Sequence, residues 1–315
     1  MKTRQAARHY VVHKQAMGVK FLDRQMQLRS FCRAVGNIEL DRIRPKAVRA
    51  FIYRKDRSAV SSAKYAATLA GLYRFAIARG YATRSPMPTA PMQAQSLFKP
   101  YIYSQDELRH LLDMTPGSQS HGHCIISAST LRMLILLLYG SGLRLGEALR
   151  LRLGDVDLNE QLLTIHQTKF GKTRLVPIGA QLARVMHYHL EHKRIGPRGK
   201  STGPFFTTID GDPITGFLAE INFRRLRRRA GIQRAGGVRM QPRLHDLRHT
   251  FAAHRLVSWY RKGLDVQALL PHLSTYLGHL NLTGTQRYLT ITPELATEAG
   301  NRFERYAASR ETTHE

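Results

Sequence analysis

The stretch TLRMLILLLYGSGLRLGEAL, residues 130–149, decides how this chain is read. Residues 130–139 are apolar almost all the way round, so the helix they form has no solvent face and sits at the centre of a domain. Gly140, Ser141 and Gly142 end it, and Leu143 opens another element. Arg144 therefore stands just past a buried helix, on a tight turn with a rigid base. A charge in such a place is either paired in the core or presented into a cleft. Glu147, three residues on, is placed to pair with it and fix its direction.

Downstream, Leu162–His166 and Arg174–Ile178 are short β-prone runs flanking residues 167–173, with Gly171 in the turn. Lys169 lies at the end of the first run, where its side chain can reach over a neighbouring groove, with Lys172 close behind. A helix near Ala180–His192 follows, and then a Gly/Pro-rich loop at 196–204. Ala219–Ala230 carries Arg224, Arg225, Arg227, Arg228 and Arg229, with Ile221, Phe223 and Leu226 as the packing side. Five arginines in six positions repel one another unless an anion is present, so phosphate-backbone contact is the expected role. Upstream, Ser104 and Glu107 have capping-box spacing ahead of Leu108, Leu111 and Leu112. His121, His123 and Cys124 crowd into four residues with no matching partner cluster, which is a loop rather than a zinc site.

Residues 85–100 hold Pro86, Pro88, Pro91 and Pro100 with little periodicity and read as a stiff linker. Before it, residues 1–84 read as an all-α domain. Phe21, Met26, Leu28, Phe31 and Val35 form one stripe, and Val48, Phe51 and Ile52 lie on a second helix. A longer helix from Ser61 to Arg79 buries Tyr65, Leu69, Leu72, Phe75 and Ile77, with Gly80 as its stop. The expected architecture is thus a helical domain at 1–84, a linker at 85–100, and a mainly α domain with a small β-hairpin at 101–315.

The chain has 315 residues, 49 Lys and Arg against 22 Asp and Glu, and a net charge of +27. Residues 1–99 hold 20 basic and 4 acidic side chains, so the smaller piece is the denser in positive charge. An imbalance of this size answers a polyanionic partner, and nucleic acid fits best because each phosphate neutralised releases a counterion. Two cysteines, Cys32 and Cys124, exclude a disulfide framework and suit a reducing cytoplasm. The polar, basic start is no secretory signal. The longest apolar run, Met133–Tyr139, is far short of the roughly 20 residues that span a bilayer. A soluble protein with no membrane partner is expected.

The chemistry gathers in the last third. His245 and Arg248, three apart at the start of a helix running from Leu244 to Leu256, share one face and meet the partial positive charge of a helix N-terminus. Leu277-Gly278-His279 follows, and Tyr288 lies nine residues after His279. In one order the chain holds Arg144 and Glu147, Lys169 in a hairpin closing on Arg174, His245 with Arg248, then His279 and Tyr288. This set resembles the tyrosine recombinase (phage integrase) family, Xer- and Cre-like enzymes among them, over about 104–300.

The resemblance implies that Tyr288 is a nucleophile that leaves a 3′-phosphotyrosyl link and a free 5′-hydroxyl. Arg144 and Arg248 would clamp the non-bridging oxygens and His279 would add a donor. His245 would move the nucleophile's proton, Lys169 would protonate the departing oxygen, and Glu147 would orient its neighbours. It implies neither metal nor nucleotide cofactor, since the clamp is already cationic. Its partners would be a double-stranded recombination site, four protomers of the chain in a synapse, and possible accessory proteins. The stretch Pro293–Ala308 would be a helix docking on a neighbour, and a mobile element would be the setting. Two departures stand out: His279 lies 34 positions after His245, and Phe170 follows Lys169, which makes Lys172 its competitor. Tyr276, just before the Leu-Gly-His, is expected to pack. A type IB topoisomerase and a catalytically silent DNA-binding protein of the same fold are the alternatives.

Overall fold

The computed structural model describes residues 1–19, 21–88, 99–119, 124–166, 173–192, 202–279 and 281–290, with 297, 298, 300, 301 and 304. The chain divides into two compact units, Met1–Leu97 and Phe98–Glu315.

The first unit is helical: α1 (Thr3–Ala16), α2 (Leu22–Val35), α3 (Pro45–Ile52) and α4 (Ala59–Ala78). Pro45 opens α3, where its missing N–H costs nothing. Ser58 caps α4 by accepting from the Ser61 N–H. Leu28, Phe31, Leu40, Val48, Ile52, Leu69, Leu72 and Tyr73 form a closed core. Two residues expected in that core are outside it: Met26 is 63% and Ile77 42% exposed. Tyr73 and Ala76 are the buried side chains of the last turns of α4 instead. Its buried stripe therefore runs three to four residues apart through Leu69, Leu72, Tyr73 and Ala76, and Ile77 falls on the far side. Linker residues 89–98 lie outside the described residues.

The second unit begins with α5 (Gln105–Asp113) and α6 (Thr115–Ser118). Ser104 and Glu107 form the expected capping box. The apolar stretch becomes α7 (Ala128–Ser141), with Leu131, Met133, Leu134, Ile135, Leu137 and Leu138 all buried. After the single turn α8 (Leu145–Ala148) comes an antiparallel sheet of β1 (Val156–Asp157), β2 (Leu162–Ile165) and β3 (Arg174–Pro177), in that order. Leu163 pairs with Val176, which puts both on the buried face. Helices α9 (Ala180–His192), α10 (Gly216–Arg229), α11 (Leu244–Arg261), α12 (Val266–Leu277) and α13 (Thr283–Gln286) complete the unit. Helix α7 packs against α9 and α11, so the least polar of the described helices lies at the centre of this unit. Mainly α with a small sheet is the fold the sequence predicts.

The arginine row on α10 departs from expectation. Arg227 is 5% exposed and donates to the Ile232 carbonyl and to Gln241. Arg225 donates to Gln119, Asn222 and Cys124 Sγ, and Arg229 to the Gly117 carbonyl. These three each tie α10 to its surroundings; only Arg227 is buried, while Arg224, Arg228 and Arg229 are exposed. Ile221, expected to pack, is 40% exposed. The segment between Arg248 and His279 is a helical hairpin: α11 runs on to Arg261, Gly263 turns the chain at φ +70°, and Asp265 caps α12. That return brings the end of α12 back beside the start of α11.

Among the described residues no helix is long and apolar enough to cross a membrane. His121 and His123 lie outside the described residues.

Candidate active site

Two helices end at the site, each on a left-handed glycine: Gly142 after α7 at φ +60° and Gly278 after α12 at φ +67°. Neither position has room for a side chain. A Cβ on Gly142 would meet Phe251 Cδ1 at 2.5 Å and Leu277 Cδ2 at 2.9 Å, and one on Gly278 would meet Arg174 Cζ at 3.0 Å. The glycines therefore let the two helix ends and the arginines approach closely.

Arginines take up the carbonyls freed there. Arg248 Nη1 donates to the Gly142 carbonyl at 2.6 Å and Nη2 to the Leu277 carbonyl at 2.7 Å. Arg144 Nη2 donates to the Gly278 carbonyl at 2.8 Å and Nη1 to Glu147 at 2.8 Å. Arg248 is 2% exposed, whereas about a third of the Arg144 side chain is open to solvent. Burial, followed by the neighbouring Arg144, brings the Arg248 guanidinium down to about 10, so it is still protonated at neutral pH.

Glu147 holds this set in register. It is 5% exposed and accepts from the Arg144 backbone N–H at 3.0 Å and from both Nη atoms of Arg174 at 3.0 and 2.9 Å. Burial alone would raise its pKa, but the Arg174 hydrogen bonds, the Arg144 N–H and the two cationic charges outweigh it and hold it at about 2. Arg174 comes from the first residue of β3, so one carboxylate joins the sheet to the turn after α7.

The start of α11 is fixed by Asp246, fully buried, which accepts from the Arg243 backbone N–H and from Arg243 Nη2 at 2.9 Å each. His245 and His249 lie one turn apart on it with their rings edge-on, 4.9 Å between centroids at 88°. The Tyr288 side chain sits in the 3-10 turn Arg287–Thr290, 2% exposed, against Phe251, Leu273 and Leu277. Its hydroxyl is 3.0 Å from His249 Nδ1. Burial raises the phenol's pKa, while Arg248, Arg287 and Arg144 pull it back down. His279 Nδ1 is 2.8 Å from the hydroxyl of the buried Thr285, and its ring stacks near that of Tyr288 at 6.2 Å.

Burial, reinforced by the surrounding cations, lowers all three imidazoles: His249 to about 3, His279 to about 4, and His245 below its usual value. At neutral pH the site combines fixed guanidinium charge with neutral rings. The Thr285 hydroxyl can donate to Nδ1 as well as accept from it, and the tautomer in which it donates leaves the His279 proton on Nε2, where it can face an anion.

A cluster of arginines on two helix ends, with a buried phenol beside two histidines, can hold an anion next to a nucleophile. The family model described as the phage integrase family matches residues 104–294. The chain belongs to that family. As a tyrosine recombinase it is a site-specific DNA recombinase. A Sinorhizobium fredii protein provisionally named integrase/recombinase y4rB is 35% identical over 309 residues, covering 96% of this chain and 97% of its own. Tyrosine recombinase XerD of Mycobacterium tuberculosis is 32% identical over 241 residues, 75% of this chain and 71% of its own. In fold, the chain resembles the Tn1549 transposon integrase in complex with transposon right end DNA. That TM-score is 0.70 at 17% identity, covering 98% of this chain and all of the other. A lambda integrase dimer bound to a COC′ core site gives 0.68 at 18% identity, over 91% and 95%.

Of the residues singled out in the sequence, Arg144, Glu147, Arg248, His279 and Tyr288 meet in this one place, with His245 at its edge. Lys169 and Lys172 lie outside the described residues. The ring at the Tyr288 hydroxyl is that of His249 rather than His245. Sequence reading passed over His249 and also Arg174, Thr285 and the tight fit at Gly142 and Gly278. His249 was within reach: at i+4 from His245 it shares the face that made His245 and Arg248 a pair. Tyr276 packs as expected, stacked on Phe251 at 5.6 Å with its hydroxyl donating to the Pro177 carbonyl.

Proposed function

We propose that this recombinase cuts and rejoins DNA through a 3′-phosphotyrosyl intermediate on Tyr288, at a double-stranded site, without metal or ATP. The observation that carries this is the buried Tyr288 hydroxyl beside Arg248, with Arg144 anchored 2.8 Å from the Gly278 carbonyl and Arg248 2.7 Å from that of Leu277. The phenol oxygen attacks phosphorus and its proton leaves toward the His245–His249 ring pair. The guanidiniums of Arg144 and Arg248, with the His279 imidazole, meet the charge that builds on the non-bridging oxygens. They fill the part a Lewis-acid cation plays elsewhere. Lys169 protonates the departing 5′ oxygen, with Lys172 as its competitor. The phosphotyrosyl bond keeps the energy of the bond cut, so the 5′-hydroxyl of another strand reverses the step.

The dense positive charge of residues 1–84, including Arg44, Lys46 and Arg49 around α3, supports a DNA-core-binding role for that part of the chain. Arg224, Arg228 and Arg229, exposed on α10, are candidates there for phosphate contact. Two of the similar structures are a lambda integrase tetramer bound to a Holliday junction and the Tn1549 transposon integrase on DNA. They support four protomers in a synapse and a mobile element as the setting; action on DNA fits the cytoplasm as the place. The relatives are recombinases and integrases, which leaves the topoisomerase and silent DNA-binding readings without support.

The test is covalent capture. The protein is mixed with fragmented, nicked genomic DNA of its source, denatured, and the DNA that stays attached is sequenced. Wild type should yield adducts at a defined sequence and Tyr288→Phe none. An adduct that survives Tyr288→Phe, or none with wild type, would overturn the reading.

A further inference from the structure

We propose that His249, the residue after the arginine of the His245–Arg248 pair, is the catalytic group that orients Tyr288 and takes its proton. This deepens the proposed function and rests on Tyr288 being the nucleophile.

The geometry is direct. His249 Nδ1 lies 3.0 Å from the Tyr288 oxygen, the atom that must attack. Both groups are withdrawn from solvent, Tyr288 to 2% exposure, so a protein acceptor replaces bulk water as the proton's destination. The rings are tilted at 54° with centroids 5.5 Å apart, so they meet through this contact and do not lie in stacked contact. His245 stands behind: its ring meets that of His249 edge-on, and its distance along α11 is one full turn. The charged or titratable groups that act most on His249 come from several elements. From its own helix these are His245 and Arg248; from outside it they are Arg243, Arg287 and Tyr288. The four besides Tyr288 all oppose a proton on the ring, so His249 is neutral before the reaction, and in its Nε2–H tautomer Nδ1 offers a lone pair to the phenol O–H. A bound phosphodiester brings negative charge among those cations and makes the ring more basic when the proton has to move.

The step balances. The Tyr288 O–P bond forms and the P–O5′ bond breaks. The phenol proton passes to His249 Nδ1, and the 5′ oxygen takes a proton from the donor on the leaving-group side, Lys169 on the reading above. In the reverse step the imidazolium returns its proton to the phenolate.

The experiment uses the full chain and the duplex recovered by covalent capture, nicked so that cleavage traps the adduct. Single-turnover adduct formation is compared for wild type, His249→Ala and His249→Asn, with DNA affinity measured alongside. A general base is worth about a hundredfold or more. His249→Ala should therefore cleave at least about a hundredfold more slowly at pH 7 with affinity unchanged, and the deficit should shrink as pH rises toward the phenol's own range. Asn places an oxygen near the Nδ1 position, so it should restore orientation and recover part of the rate but not the pH profile. A 5′-bridging phosphorothiolate, whose sulfur leaves without an acid, should not rescue His249→Ala. Cleavage by His249→Ala within threefold of wild type would overturn the proposal. So would full rescue by the phosphorothiolate, which would put His249 on the leaving-group side. If the alanine variant fails to fold, judged by Trp259 fluorescence, the asparagine variant decides by the same criteria. A wild type without an adduct would instead sink the reading of Tyr288 itself.

Discussion

Replacing Glu147 by Gln keeps the shape of the side chain and removes the charge that two arginines share. The magnitude follows from its pKa, about 2 in the folded chain against 4.5 for the free group. That difference is worth about 3 kcal/mol at neutral pH, at about 1.4 kcal/mol per unit. The sign is that of a depressed carboxylate. The stabilisation is complete above the unfolded value and disappears as pH falls through the folded one. By pH 3 about 1 to 1.5 kcal/mol of it is left. Glu147→Gln should thus be less stable than wild type by about 3 kcal/mol at pH 7, with a gap roughly 2 kcal/mol narrower at pH 3. For a unit of this size the neutral-pH gap lowers Tm by about 6–12 °C. The chain's single tryptophan, Trp259, lies on α11, so its fluorescence in urea or on heating follows the second unit alone. A gap below 1 kcal/mol at pH 7, or one that does not change with pH, would refute the assignment of Glu147 as the charged centre of the clamp.

Two further outcomes follow from the same geometry. Gly142→Ala should cost about 2–4 kcal/mol in urea unfolding, from the left-handed backbone and the Cβ placed 2.5 Å from Phe251; a neutral substitution would contradict the packing described. His249 and His279 are held at about 3 and about 4, below the 6.5 of the unfolded chain. The unfolded state therefore binds protons first, and Tm should fall between pH 7 and pH 5, before Glu147 titrates. A flat Tm over that interval would contradict it.

How much of this was legible depended on whether a residue's role is local. Helix α7 was readable because an all-round apolar face has one environment, and Arg144–Glu147 because i, i+3 neighbours on a turn have few alternatives. The capping box at Ser104 is local in the same way. The partners of Arg225, Arg227 and Arg229 on α10 were hidden for the opposite reason: Gln119, Gln241 and the Gly117 and Ile232 carbonyls mostly come from other segments. Counting charge along a helix cannot see a buried carbonyl that a guanidinium satisfies. Arg174 was hidden likewise, since its carboxylate lies 27 positions earlier in the chain. The spacing between His245 and His279 left the helix geometry between them open, and a Gly263 turn and an Asp265 cap make it a hairpin that returns to its origin.

The charge of the assembled site has a consequence for the reaction proposed. Arg144, Arg174 and Arg248 carry positive charge against the single negative charge of Glu147, the three imidazoles start neutral at pH 7, and the phenol's proton adds a further positive charge as it arrives, so the site is net cationic throughout. A bound phosphodiester carries one negative charge, whereas the pentacovalent arrangement formed by attack carries two. The site is thus better matched to the second than to the first, and binding that grows during the reaction is the kind that accelerates it. The match needs the guanidiniums to stay put when the charge appears. Arg248 uses two N–H groups, and Arg144 one, on the carbonyls that end α7 and α12, and each of the five-donor forks still has hydrogens for an anion. A lysine, with one ammonium on a flexible stem, cannot hold two helix ends and face a phosphate as well. Anchoring the helices and stabilising the transition state are therefore one task at Arg248, and Arg248→Lys should lose both together.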